Sequence, residues 1–190
     1  MGLRALLLAL AAALLSCAAG QGAYAPVELG LGSLSGSGAA CGFTLSPGDW
    51  PSDRLASIDP VNSPFAGGQQ QGCGVCLEVQ CTAPGCAGAS TVVVADHCDG
   101  CGSRVFLSQA AWSQAVQGSA LQQLPGQVRQ VACTPPGNLQ PQVTEYRAGD
   151  GGYLKLALQS VAGNGDLVSV EVKGSSQVRH SVLPASRTSR

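Results

Sequence analysis

Six cysteines, an Asp-His pair and a tryptophan lie within the stretch from Cys73 to Trp112, the densest concentration of reactive residue types in the chain. Asp96-His97 follows the run Thr91-Val92-Val93-Val94-Ala95 directly, and Cys98-Asp99-Gly100-Cys101-Gly102 then turns the chain. A carboxylate at the end of a buried strand, beside a cysteine-pinned turn, is a candidate for sugar chemistry. Hydrolysis of a glycosidic bond normally takes two carboxylates, one as acid and one as base or nucleophile. Asp96 is the first candidate; its plain alternative is a strand-end cap or ion-pair partner. Asp99 sits in an Asp-Gly turn that accounts for it, and Asp49, Asp53 and Asp59 fall in a turn-rich stretch where solvation is the default. A Ser-His-Asp triad would have to use His97, yet the chain has no Gly-x-Ser-x-Gly elbow.

The elements that must position these groups are mostly strands. Thr91–Ala95 is continuously apolar and β-branched, which predicts a buried strand. Val75, Leu77 and Val79 alternate with Cys76, Glu78 and Gln80, the period of a half-buried strand. Leu55–Ile58 forms a shorter strand closed by Asp59-Pro60, and Val128–Cys133 alternates again. One helix is predicted from Ser108, a plausible N-cap, with Leu107, Ala111, Ala115 and Val116 on one face. Residues 21–38 are poor in charge and rich in Gly and Ser, which reads as a loop or a lead-in strand. Beyond a linker at Thr134-Pro135-Pro136-Gly137, Val143–Arg147, Tyr153–Leu158 and Leu167–Val172 read as further strands, with a hairpin turn at Asn164-Gly165-Asp166 joining the last two.

Composition narrows the class. The 190 residues carry a net charge of −1, with 11% charged and 4% aromatic residues and 26 glycines, which suits turn-rich β structure and excludes an electrostatic footprint for nucleic acid. No tract after residue 20 is apolar enough to span a membrane. Residues 1–20 combine Arg4, an apolar run from Ala5 to Leu15 and small residues up to Gly20, the pattern of a cleaved secretory signal peptide. Cleavage removes Cys17 and leaves eight of the nine cysteines. Cys73-x2-Cys76 and Cys98-x2-Cys101, 21 residues apart, have the spacing of a four-cysteine zinc site. Export favours disulfides instead, because thiols are oxidised outside the cell. Neither a metal nor a cofactor is expected, and the sequence pattern alone leaves the connectivity open.

The same residues resemble the expansin family. The resembling blocks are Cys73-Gly74-Val75-Cys76-Leu77-Glu78-Val79-Gln80-Cys81, Val92-Val93-Val94-Ala95-Asp96-His97-Cys98 and Leu107-Ser108-Gln109-Ala110-Ala111-Trp112, followed by Tyr153–Leu158 and Gly163–Gly174. The resemblance implies a mainly β protein: a six-stranded double-psi β-barrel with one short helix over residues 21–134, then a truncated, Ig-like, cellulose-binding-like β-sandwich over residues 135–190. It implies the disulfides Cys41–Cys73, Cys76–Cys133 and Cys81–Cys86, leaving Cys98–Cys101 as an added clasp. It further implies a secreted, monomeric protein of the extracellular space or cell wall that binds wall polysaccharide, a cellulose or matrix β-glucan, and loosens the wall without hydrolysis. Ser33, Ser35, Asp96, His97, Trp112 and Tyr153 are the binding residues so expected. The family's acid, an Asp before Leu-Ser-Gln that corresponds to the catalytic acid of family-45 endoglucanases, is replaced here by Phe106, within Arg104-Val105-Phe106. A phenyl ring donates no proton, so the resemblance predicts no enzyme. Two alternatives remain at this point: a weak family-45-like hydrolase using Asp96, and a barwin-like or natriuretic-peptide-like secreted binding protein.

Overall fold

A computed structural model of the chain describes residues 22–34, 39–43, 50–51, 53–66, 72–117, 121–165, 170–173 and 179–182. The signal-peptide assignment at residues 1–20 and the binding assignment of Ser35 lie outside these residues. Six strands close into a barrel: β1 (Ala25–Leu31), β2 (Leu55–Ile58), β3 (Cys76–Cys81), β4 (Ala89–His97), β5 (Arg104–Leu107) and β6 (Gln123–Val131). Their order around the barrel is β1-β5-β2-β4-β3-β6, with β1 bonded again to β6. The pairs β1–β5 and β2–β4 are parallel and the rest antiparallel. Exchanging β1 with β4, β2 with β5 and β3 with β6 returns the same ring, so the two halves of the barrel interlock with a pseudo-twofold relation. This is the double-psi arrangement that the resemblance implies.

Two-residue alternation explains the interior. Val27 and Leu29 of β1, Ala56 and Ile58 of β2, Leu77 and Val79 of β3, Val92 and Val94 of β4, Val105 and Leu107 of β5 and Leu124 and Val128 of β6 all join one buried cluster. A helix, α1 (Gln109–Ala115), adds Ala111, Trp112 and Ala115 to that cluster. Ser108 occupies the N-cap position, but its hydroxyl makes no capping bond. It accepts from the Leu55 amide at 3.1 Å and donates to the Asp53 carbonyl at 2.5 Å, so it ties the helix start to β2. The Gly/Ser-rich segment near the N-terminus also resolves: β1 is a full barrel strand whose alternation at Val27 and Leu29 outweighs its composition.

Beyond the barrel, β7 (Gln140–Arg147) pairs with β8 (Tyr153–Gln159), and β9 (Val170–Lys173) pairs with β10 (Arg179–Val182), a partial sandwich. The expected hairpin through Asn164-Gly165 is not the pairing observed, since β8 is bonded to β7 and β9 to β10. The Gly165 backbone instead packs on the barrel: a Cβ there would stand 2.5 Å from the Gly74 carbonyl oxygen, and its φ of +78° already favours glycine. Cys133 and Gly163 form a bridge beside it, with the Gly163 amide 3.1 Å from the Cys133 carbonyl.

All four disulfides join the pairs implied by the resemblance: Cys41–Cys73, Cys76–Cys133, Cys81–Cys86 and Cys98–Cys101. They differ in the chain they close, from a separation of 57 residues for Cys76–Cys133 to 3 for Cys98–Cys101. In the loop-entropy account the longer closure stabilises by about 4 kcal/mol and the shortest by about 2 kcal/mol. Replacing Cys76 and Cys133 by serine is therefore expected to lower the urea midpoint about twice as far as the same change at Cys98 and Cys101. Equal losses in equilibrium unfolding would contradict that ordering.

Candidate functional site

The barrel's outer wall carries one continuous row of paired residues. Gly30 of β1 is opposite Phe106 of β5, Phe106 is opposite Ser57 of β2, and Ser57 is opposite Asp96 of β4. These positions face outward because their neighbours Leu29, Val105, Leu107, Ala56 and Ile58 all point into the core. The register of β2 against β4 shifts between Ala56 and Ser57, and that irregularity is what sets Asp96, rather than Ala95, opposite Ser57. Asp96 and Phe106 thus flank Ser57, two strand spacings or about 9–10 Å apart across the sheet.

Asp96 is half-buried and accepts a hydrogen bond from the Ala40 amide at 2.8 Å. His97, the next residue, turns toward the Cys41–Cys73 disulfide. Its Nε2 lies 3.4 Å from Cys73 Sγ and 4.0 Å from Cys41 Sγ. These donor atoms lie within 4.8 Å of one another, but the two sulfurs are bonded to each other and offer no thiolate. The disulfide therefore acts as a wall beside Asp96 rather than as a ligand pair.

The expected binding residues separate into groups. Ser33 is exposed just past Gly32, where a Cβ would stand 3.1 Å from Phe106 Cβ, so it borders the row. Trp112 does not: it is 6% exposed and belongs to the barrel core, so its ring has no face for a ligand. The helical spacing that puts Trp112 beside Ala111 and Ala115 is a packing signal, and packing is what it does. Tyr153 lies in the separate β7–β8 sheet, exposed, with its hydroxyl donating to Glu145, whose carboxylate holds the phenol above its usual value.

Two residues were missed by reading the sequence. Ser57, 3% exposed, stands at the centre of the row. Asp59 is also buried, against the expectation of a solvated turn acid. Its Oδ1 accepts from the amides of Asn62 at 2.8 Å and Val61 at 2.9 Å, and its Oδ2 from Asn62 Nδ2 at 3.1 Å and the Gly102 amide at 2.9 Å. It fastens the end of β2 to the Cys98–Cys101 turn, and hence the two strands that carry Asp96 and Phe106. The available signal was Asp59-Pro60-Val61-Asn62 after a strand, an Asx-type turn in which the side chain bonds backbone two and three residues on.

Relatives sharpen the reading. The chain is 32% identical over 114 residues to pollen allergen Lol p 1 of Lolium perenne, an alignment covering 54% of this chain and 43% of that protein. It therefore spans under half the length of that relative. A crystal structure of a mutant Clavibacter michiganensis expansin in complex with cellohexaose superposes with a TM-score of 0.51 at 16% identity, covering 88% of this chain and 93% of that one. The chain has an expansin-like fold. No family model matches it. Among the described residues no helix is long and apolar enough to cross a membrane.

Asp59 generates a pH prediction for this expansin-like barrel. The backbone amide of Asn62, then that of Val61, the Asn62 side chain and the Gly102 amide hold its carboxyl well below the usual carboxylate range. The unfolded chain, with an ordinary carboxyl near pH 4, takes up a proton first as pH falls. The stabilisation is then complete above about pH 4 and is lost progressively below it. Asp59→Asn is expected to lower the urea midpoint at pH 7, with a gap from wild type that narrows below about pH 4. A gap constant from pH 7 to pH 2.5 would show that the charge of Asp59 contributes nothing.

Proposed function

We propose that the protein is a secreted, non-hydrolytic binder of cell-wall polysaccharide that engages β-glucan along the barrel's outer row. The observation that carries this is the row itself: one carboxylate, Asp96, with Ser57 beside it and a phenyl ring, Phe106, where the resemblance puts the family's acid. Glycosidic hydrolysis needs a proton donor on the leaving oxygen, and Phe106 supplies none. Asp96 can still accept hydrogen bonds from sugar hydroxyls, which orient a chain without breaking it. The expansin fold and the cellohexaose bound by the Clavibacter michiganensis protein support a glucan as the ligand class. We assign residues 21–134 to this barrel unit and 135–190 to a shortened cellulose-binding-like module, with Tyr153 exposed on β8 for a stacking contact of its own. A monomeric, extracellular protein that loosens contacts between wall polymers follows from the same assignment.

Co-sedimentation with insoluble cellulose and with wall matrix tests the reading. Retention that weakens by about threefold to tenfold in Asp96→Ala, with no reducing sugar released by either form, is the expected outcome. Protein left in the supernatant at every salt concentration would sink it. Release of reducing sugar abolished by Asp96→Asn would replace it with a hydrolase.

A further inference from the structure

Phe106 is more than a lost acid. Its ring lies over Gly30: a Cβ on that glycine would stand 2.7 Å from Phe106 Cδ1 and 2.8 Å from Cε1, so only the absence of a side chain lets the ring settle there. Gly32 gives the same clearance beyond it, with a Cβ position 3.1 Å from Phe106 Cβ. Arg104, two residues before on the same outward face, sets its Cζ 5.7 Å from the ring centroid and is held by an ion pair to Glu28 at 3.2 Å. Arg104 Nε is buried with no hydrogen-bond partner. Phe106 is nonetheless half-exposed, unlike Val105 and Leu107 on either side, which are buried in the core.

From this we infer that Phe106 is a stacking platform for the pyranose face of a β-1,4-linked glucan. The inference rests on the polysaccharide reading above and names the residue that determines ligand class within it. In a β-1,4-glucan the hydroxyls are equatorial and point to the edges of the ribbon, so the flat faces present C–H groups. A phenyl face matches such a surface by dispersion and by removing apolar area from water. The edges then meet Asp96, half-buried two strands away in the register row, whose carboxylate can accept from sugar hydroxyls. Replacing an acid by a ring at this position exchanges bond cleavage for grip.

The experiment measures binding of the full chain to cellohexaose by calorimetry and to insoluble cellulose by depletion, for wild type, Phe106→Leu and Phe106→Trp, with thermal unfolding of each. Leucine keeps the apolar cover over Gly30 but has no flat face. Phe106→Leu is expected to bind about tenfold more weakly while melting within a few degrees of wild type, and Phe106→Trp to bind at least as tightly as wild type. If Phe106→Leu binds like wild type, the ring is only packing and the platform is overturned. A Phe106→Trp variant that folds but binds as weakly as Phe106→Leu overturns it equally. Wild type that leaves cellohexaose and cellulose unbound overturns the polysaccharide reading and this inference together, an outcome distinct from the other two.

Discussion

The barrel closes on a strand of four residues. β2 sits between β4 and β5, all four of its residues are buried, and it meets one neighbour parallel and the other antiparallel. Closure removes sheet edges only if every strand finds a partner on both sides, and so short a strand has little ladder with which to do so. The surrounding structure compensates at both ends. Ser108 bonds the Leu55 amide at its start, and Asp59 takes four hydrogen bonds just past its finish. Loosening β2 would open the barrel and separate Asp96 from Phe106 in the same motion, so fold and site depend on one constraint.

The disulfides act mainly outside that constraint. Cys76 lies on β3, and its bridge to Cys133 reaches past the end of β6, where Val93 and Trp50 pack with the pair in a second, smaller buried cluster. That cluster covers the outer face of β4 at Val93, in the middle of the strand. Cys133 also bridges Gly163, so the same cystine anchors the approach of the β7–β8 sheet. A small apolar crevice remains along this seam, lined by Phe43, Trp50, Val93, Ala95, Leu158 and Val161. It joins barrel and hairpin, whereas the polar row of Ser57 and Asp96 lies elsewhere on the wall. The cystines thus supply what the low aromatic content of the core does not.

The chemistry open to the wall follows from the residue type at position 106. A pair of carboxylates flanking a central hydroxyl would make an acid–base machine. A half-buried carboxylate and a half-exposed phenyl ring on either side of a buried serine offer one acid where such a machine needs two. Glycine at position 30 lets the ring lie on the sheet, because a side chain there would lift it.

Sequence by itself determined the elements, the class and the chemistry available. The alternation at Val75, Leu77 and Val79 and the β-branched run before Asp96 are local, and local periodicity dictates strands whatever they pair with. The signs of export and an even cysteine count likewise pointed to cystines. Tertiary structure decided which residues meet. The bulge at Ala56/Ser57 that aims Asp96 outward, the burial of Trp112 and Asp59, the docking of Gly165 on Gly74 and the alignment of Phe106 with Gly30 all depend on register between distant strands. A register shift of one residue reverses the face of every side chain. Pairings across dozens of residues are set by closure of the whole barrel, and no local pattern encodes them.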